Sequence, residues 1–254
     1  MFPYHDENQT QRPSVVTWGL IAANVAAWLF IQGAGTMPAL ARSVCELGLI
    51  PGELTGLLRP GTPIALGEGL VCLTEPGPTI SRIFTSMFMH GSWLHLLGNM
   101  WFLHLFGNNV EDSMGRARFL VFYLLCGVAA ALLQVALDPG AAVPMVGASG
   151  AISGVMGGYL VLYPRVRVFT LVPIGFFLMS VALPAWTMLL YWFVLQLLGG
   201  LTTIAGAAAG GVAFWAHIGG FLAGVALVKL FARSEYVAAH RAVRWQPRRL
   251  MRGW

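Results

Sequence analysis

Four polar side chains sit in stretches that otherwise offer only apolar or very small residues. Ser149 lies within Pro144–Gly158, PMVGASGAISGVMGG, and His217 lies far downstream in AHIGG. His95 and Asn99 stand four residues apart in HGSWLHLLGNMW, so a helix puts them on one face. A serine hydroxyl is a weak nucleophile until a base takes its proton. His217 is the candidate base. Amide hydrolysis also needs donors aimed at the developing oxyanion. His95 and Asn99 can supply side-chain donors, and the Ser149 N–H a backbone one. No intramembrane Asp or Glu offers a third member, so the chemistry implied is that of a Ser–His dyad. The soluble-hydrolase elbow G-x-S-x-G does not fit, because GASGA ends in Ala151 and no strand precedes it. Taken singly, Ser149 on a Gly/Ala face reads as a packing residue, and His217 as a buried, hydrogen-bonded histidine.

Those residues need elements to position them. The chain of 254 residues is 57% hydrophobic and 10% charged, with a mean hydropathy of +0.72. Its apolar runs are long enough to cross a hydrocarbon core of ~30 Å. This composition predicts an all-α, polytopic integral membrane protein with six transmembrane helices. They span about Val15–Ile31, Trp93–Phe106 (with an apolar lead-in from Ile83), Arg118–Leu137, Ser149–Tyr163, Pro184–Leu198 and Gly211–Phe231. The run Phe169–Leu183, interrupted by Pro173, reads as an interfacial or re-entrant piece. Residues 1–14 form an N-terminal segment, 15–231 the membrane domain with a long outer loop at 33–81, and 232–254 a basic tail.

Lys and Arg set the orientation. Arg116, Arg118, Arg165, Arg167 and the seven basic residues from Lys229 onward fall on one side if both termini are cytoplasmic. The outer loop carries only Arg42 and Arg59 against Glu46, Glu53, Glu68 and Glu75. With this topology His95, Asn99, Ser149 and His217 all lie toward the outer side at similar depth. The fourth span is too short to cover the hydrocarbon alone. The chain before Ser149 must therefore enter as non-helical backbone, which is tolerated only where it lines a protein cavity.

The stretches HGSWLHLLGN, GASGAISGVMG and AHIGGFLAG, in this order and spacing, resemble the rhomboid intramembrane serine proteases. NNVEDSMGRARF matches the family's Glu-x3-Gly-x3-Phe pattern through Glu111, Gly115 and Phe119. The resemblance covers about Arg82 to Phe231. It implies a rhomboid-like helical bundle of bacterial type in the cell membrane. It implies that Ser149 is the nucleophile, His217 the general base, and His95, Asn99 and the Ser149 N–H the oxyanion hole. Gly147 and Gly150 flank the nucleophile, Gly220 and Gly224 let the sixth helix pack closely on the fourth, and Glu111 and Arg82 are supporting residues. The family's Trp-Arg pair appears here as Ser81-Arg82. The tyrosine that some members place four residues after the nucleophile is Ser153.

The substrates implied are transmembrane proteins, approached through lipid, cleaved without metal or other cofactor. No nucleic-acid motif accompanies the basic tail, which reads as a lipid-contacting segment. His90 reads as a structural or outer-site residue, and His104 as structural. Cys45 and Cys72 share the outer side, and the sequence leaves open whether they pair; Cys126, inside a span, is expected to stay reduced. Two other classes remain: a catalytically inactive rhomboid-like protein that binds transmembrane clients, and a small transporter. The transporter lacks support from an inverted repeat or a buried carboxylate. The oligomeric state is not legible.

Overall fold

Apolar runs form the long helices, and the more polar segments between them fold onto the ends of the bundle. The computed structural model describes residues 1–67, 70–75, 80–204 and 211–244. Glu68, part of the connection before the sixth helix (205–210), and 245–254 with Arg248, Arg249 and Arg252 lie outside the described residues.

A strand, β1 (Phe2–Asp6), precedes the first helix, α1 (Val15–Ala26), which continues through a wider π-helical turn to Ile31. The N-cap residue Ser14 makes no side-chain cap. Glu111 does that work from another helix: its carboxylate accepts from Val16 N–H at 2.9 Å and from Thr17 N–H and hydroxyl at 2.7 Å each. These are amides that a helix start leaves without partners, and a carboxylate there also meets the positive end of the helix dipole.

The 33–81 segment, expected as an outer loop, is structured. It contains α2 (Met37–Leu47), α3 (Pro51–Leu54), the hairpin of β2 (Pro63–Gly67) and β3 (Leu70–Leu73), and the short α4 (Arg82–Thr85). A Cys45–Cys72 disulfide joins α2 to β3, which answers the question the sequence left open; Cys126 is a free, buried cysteine. Arg82 is buried and pairs with Glu53 at 2.5 Å and Glu75 at 3.0 Å. It ties α4 to α3 and to the segment that follows β3.

The remaining helices are α5 (Trp93–Phe102), which continues through a π-helical turn into α6 (Asn108–Met114), then α7 (Arg116–Leu137), α8 (Ser149–Leu162), α9 (Ala185–Ile204), α10 (Phe214–Phe231) and α11 (Ser234–Arg244). Between α8 and α9 lie β4 (Arg167–Ile174) and β5 (Phe177–Pro184). Among the described residues three helices are long and apolar enough to cross a membrane, at Arg116–Leu137, Ala185–Thr203 and Phe214–Phe231; Val15–Ile31 and Ser149–Leu162 are shorter apolar helices.

The chain is mostly helical, with one correction to an all-α reading. Phe169–Leu183, expected as an interfacial or re-entrant piece, is not helical but part of a β-hairpin, and β1 extends it into a sheet of order β1-β4-β5. The physical reason is visible in Val168, Thr170, Val172 and Ile174, β-branched residues at a period of two. Gly175, at φ +61°, then makes the tight turn. Val168 and Thr170 are fully buried, while Phe176, Phe177 and Leu178 at the tip are exposed. The fifth helix also runs six residues beyond the expected Leu198, to Ile204.

Helix α8 is the centre of the bundle. Of its 14 residues, ten are buried. Glycines allow this: a Cβ on Gly220 would stand 1.9 Å from the Gly150 carbonyl oxygen, and one on Gly224 1.9 Å from that of Gly154. Backbone therefore touches backbone along the α8–α10 contact, and any larger residue would wedge the helices apart.

Candidate active site

The chain reaches α8 without helical structure. Residues after α7 are held instead by the outer loop: Leu49 and Met145 exchange backbone hydrogen bonds, and Gly147 N–H donates to the Ser86 carbonyl at 2.9 Å. Gly147 has φ +124°, a conformation that side chains with a Cβ rarely adopt. A Cβ there would also lie 2.7 Å from His95 Nε2. This turn delivers Ser149 as the first residue of α8, where the opening N–H groups have no helical acceptor.

His217 comes from the first turn of α10. Gln134 on α7 holds that helix start by accepting from Ala216 N–H at 3.2 Å. The result is a Ser149 Oγ to His217 Nε2 distance of 2.7 Å. The other ring nitrogen, Nδ1, lies 2.8 Å from Gln196 Oε1 on α9. The Trp192 ring, one turn earlier on α9, lies 5.8 Å from the imidazole between centroids.

His95 is fixed by two local bonds. Ser92 caps α5 by accepting from His95 N–H at 3.1 Å. His95 Nδ1 accepts from Gly91 N–H at 3.3 Å. A neutral imidazole with Nδ1 accepting carries its proton on Nε2. That makes Nε2 a donor on the Gly147 side. Asn99, one turn on, is 8% exposed, and its Nδ2 has no hydrogen-bond partner. An unpaired buried amide donor carries a desolvation cost of about 1–3 kcal/mol.

Ser149, His217, His95 and Asn99 line one cleft of about 850 Å³, together with Ser153, Gln134, Asp138 and Trp192. The four residues singled out by sequence are thus brought together. The supporting residues divide. Gly147 lies close to His95 and Asn99, Gly150 lets α8 approach Ala130 of α7, and Gly220 and Gly224 set the α8–α10 distance. Arg82 and Glu111 do not line the cleft: Arg82 anchors the outer loop and Glu111 caps α1. His90 is fully buried against His95, ring centroids 5.1 Å apart, with its backbone clamped by Gln32 at 2.8 Å through both N–H and carbonyl. His104 packs on Trp18, outside the cleft. Gln196, Gln134 and Trp192 were not anticipated. Their signal was present, since each glutamine is a lone amide inside an apolar span, where polar groups are costly and seldom idle. Among the described residues no group of His, Cys, Asp and Glu is arranged to hold a metal ion.

The opposite end of the bundle carries three buried carboxylates, Asp6, Glu111 and Asp112. Asp6 accepts from Tyr159 hydroxyl at 2.6 Å and Asn109 Nδ2 at 3.0 Å. Burial pushes its carboxyl up to about 6, against those hydrogen bonds. Burial also works against charge on Asp112. There His240, the Gln11 N–H and Arg12 outweigh it and hold the carboxyl below its ordinary range.

Residues 78–234 match the description of the Rhomboid domain, well over half of the chain. The chain belongs to the rhomboid family. A rhomboid-like protein 11 of Arabidopsis thaliana, described as chloroplastic, is 40% identical over 77 residues, 30% of this chain and 27% of that protein. A putative rhomboid protease, YdcA, of Bacillus subtilis is 38% identical over 79 residues, 31% of this chain and 39% of the relative. Inactive rhomboid protein 1 of Drosophila melanogaster is 34% identical over 88 residues, 35% of this chain but 6% of that protein. This rhomboid therefore spans well under half the length of the curated relatives it matches. Family membership and its apolar helices make it an integral membrane protein; what it does there rests on its own residues.

Proposed function

We propose that this rhomboid is an intramembrane serine endopeptidase that cleaves membrane-anchored proteins near the outer membrane boundary. The observation that carries the reading is the 2.7 Å approach of Ser149 Oγ to His217 Nε2 in a cleft lined by His95 and by Asn99, whose Nδ2 is unpartnered. His217 takes the Ser149 proton as Oγ attacks the scissile carbonyl. The oxyanion that forms is met by the Ser149 N–H, His95 Nε2–H and Asn99 Nδ2–H. His217 then protonates the leaving amine, and water, activated by the same imidazole, releases the acyl group. No cofactor enters this sequence. In this reading Val15–Ile31, the α5 helix and α8 are spans as well, making six. Both termini then lie on the cytoplasmic side of a cell membrane, with the basic tail against lipid.

A transmembrane substrate hides its carbonyls in i to i−4 hydrogen bonds. It must unwind to reach Ser149, and Gly or Pro lowers that cost by ~1 to ~3 kcal/mol relative to Ala. Cleavage is therefore expected at a small residue near the outer boundary, with helix-weakening residues deeper in the span. The test is a panel of membrane-anchored substrates presented to the reconstituted chain. Ser149→Ala and His217→Ala abolish cleavage and leave the fold unchanged, and chelators leave it untouched. Full cleavage by Ser149→Ala refutes the mechanism. A second reading, binding of transmembrane clients without cleavage, draws on the name of the Drosophila relative; the presence of both Ser149 and His217 weighs against it.

A further inference from the structure

His217 is held through both ring nitrogens, and only one of them faces the nucleophile. Nδ1 faces Gln196 Oε1 at 2.8 Å. An amide oxygen can only accept, so this bond requires the proton on Nδ1 and leaves a lone pair on Nε2. That is the tautomer a base needs if it is to accept the Ser149 hydroxyl proton at 2.7 Å. In a Ser-His-Asp triad a carboxylate fixes this tautomer and steadies the imidazolium that follows. A carboxylate inside a span would be costly; a neutral amide fixes the tautomer without bringing charge.

The second contact comes from the same helix face. Trp192 precedes Gln196 by one turn, and its ring lies over the imidazole at 5.8 Å and 37°. Ser153 offers His217 no such help, because its hydroxyl donates back to the Ser149 carbonyl at 2.6 Å. Support for the imidazole therefore comes from α9, the least buried of the three long helices, with 22% of its span buried against 39% for α7 and for α10.

We propose that Gln196, with Trp192 packed beside it, is the positioning residue for His217: its side-chain oxygen fixes the imidazole in the tautomer and orientation that Ser149 requires. This rests on the dyad reading above, and it makes the competence of the dyad depend on α9 being seated against α10. His95 and Asp138 are the other titratable side chains lining the cleft, and they are unchanged in the variants below.

The experiment reads the imidazole and the nucleophile separately, on the full chain in lipid nanodiscs. Nitrogen-15 histidine spectra report the tautomer of His217, and a fluorophosphonate probe reports the reaction rate of Ser149 as a function of pH. In the parent chain Nδ1 is protonated and Nε2 is bare. Gln196→Leu loses that preference and labels about 10- to 100-fold more slowly, as loss of an orienting outer partner does elsewhere. Gln196→Glu keeps an acceptor, retains the Nδ1–H tautomer and labels faster than Gln196→Leu. Gln196→Leu with an unchanged tautomer and labelling rate overturns the proposal, as does a Gln196→Glu variant that loses the Nδ1–H tautomer. A parent chain whose tautomer depends on Gln196 but which never labels at Ser149 upholds the positioning and overturns the enzymatic reading.

Discussion

The two ends of this bundle bury different kinds of polar group. Where β1, α6 and α11 meet, three carboxylates are tied into the frame. Asp6 is bonded to Tyr159 and Asn109, Glu111 to the start of α1, and Asp112 to Gln11, Arg12 and His240. Buried polar atoms without a partner occur at both ends, Asn8 Nδ2 and Asn109 Oδ1 at the first and Asn99 Nδ2 and the His90 ring nitrogens at the second, but Asn99 lines the cleft that holds Ser149 and His217. A buried charge is tolerated when partners enclose it. A buried donor without one is destabilising, and it fits a site that completes itself only with a visitor. On the proposed function the first end is frame and the second is where the chemistry takes place.

Three substitutions test that division. The largest effect is expected from Asn99→Ala. If Nδ2 serves the oxyanion, its loss costs ~3–4 kcal/mol in the transition state, a fall of roughly 10²–10³ in kcat with little change in KM. A stability change with unaltered kcat would make Asn99 a frame residue instead. Next is Gly224→Ala, whose Cβ would stand 1.9 Å from the Gly154 carbonyl oxygen. Forcing α8 and α10 apart is expected to lower unfolding stability by about 3 kcal/mol, measured by denaturation in mild detergent, and activity should fall with it.

The smallest effect concerns the carboxylate end. The Asp6 carboxyl sits at about 6 in the fold against an ordinary 3.8. A raised carboxyl stabilises the fold fully below the ordinary value, and that stability is lost as pH rises through about 6. The linkage amounts to no more than about 3 kcal/mol. Melting temperatures measured from pH 4 to 7 should fall for the parent chain and flatten in Asp6→Asn. Fluorophosphonate labelling at fixed pH should be the same in both. A matching slope in the two proteins would remove Asp6 as the cause.

Much of the site was legible because its spacing is local. His95 and Asn99 share a helix face by virtue of four residues, and the small residues of GASG announce a tight turn before anything is known of the neighbours. The α8–α10 contact was legible for a related reason: Gly220 and Gly224 repeat at the spacing of one helix turn. Gln196 was not legible as a partner of His217. Which face α9 turns toward α10 is decided by packing, and in sequence Gln196 is one amide in an apolar run. The β4–β5 hairpin was missed for a different reason. Its period-two pattern was present, but Phe176 to Met179 at its tip are as apolar as any span, so hydropathy masked the alternation. The partnership of β1 with β4 and the burial of His240 against Asp112 link residues far apart in the chain, and no local pattern announces such pairings.

The most direct test of the central claim is site-resolved fluorophosphonate labelling of the reconstituted chain, with the modified peptide identified by mass spectrometry. The probe needs an activated serine and no knowledge of the natural substrate. The account predicts a single adduct on Ser149, absent in His217→Ala although that variant keeps its fold and its Ser149. Equal labelling of Ser149 in His217→Ala, or no labelling of the parent chain, would contradict it.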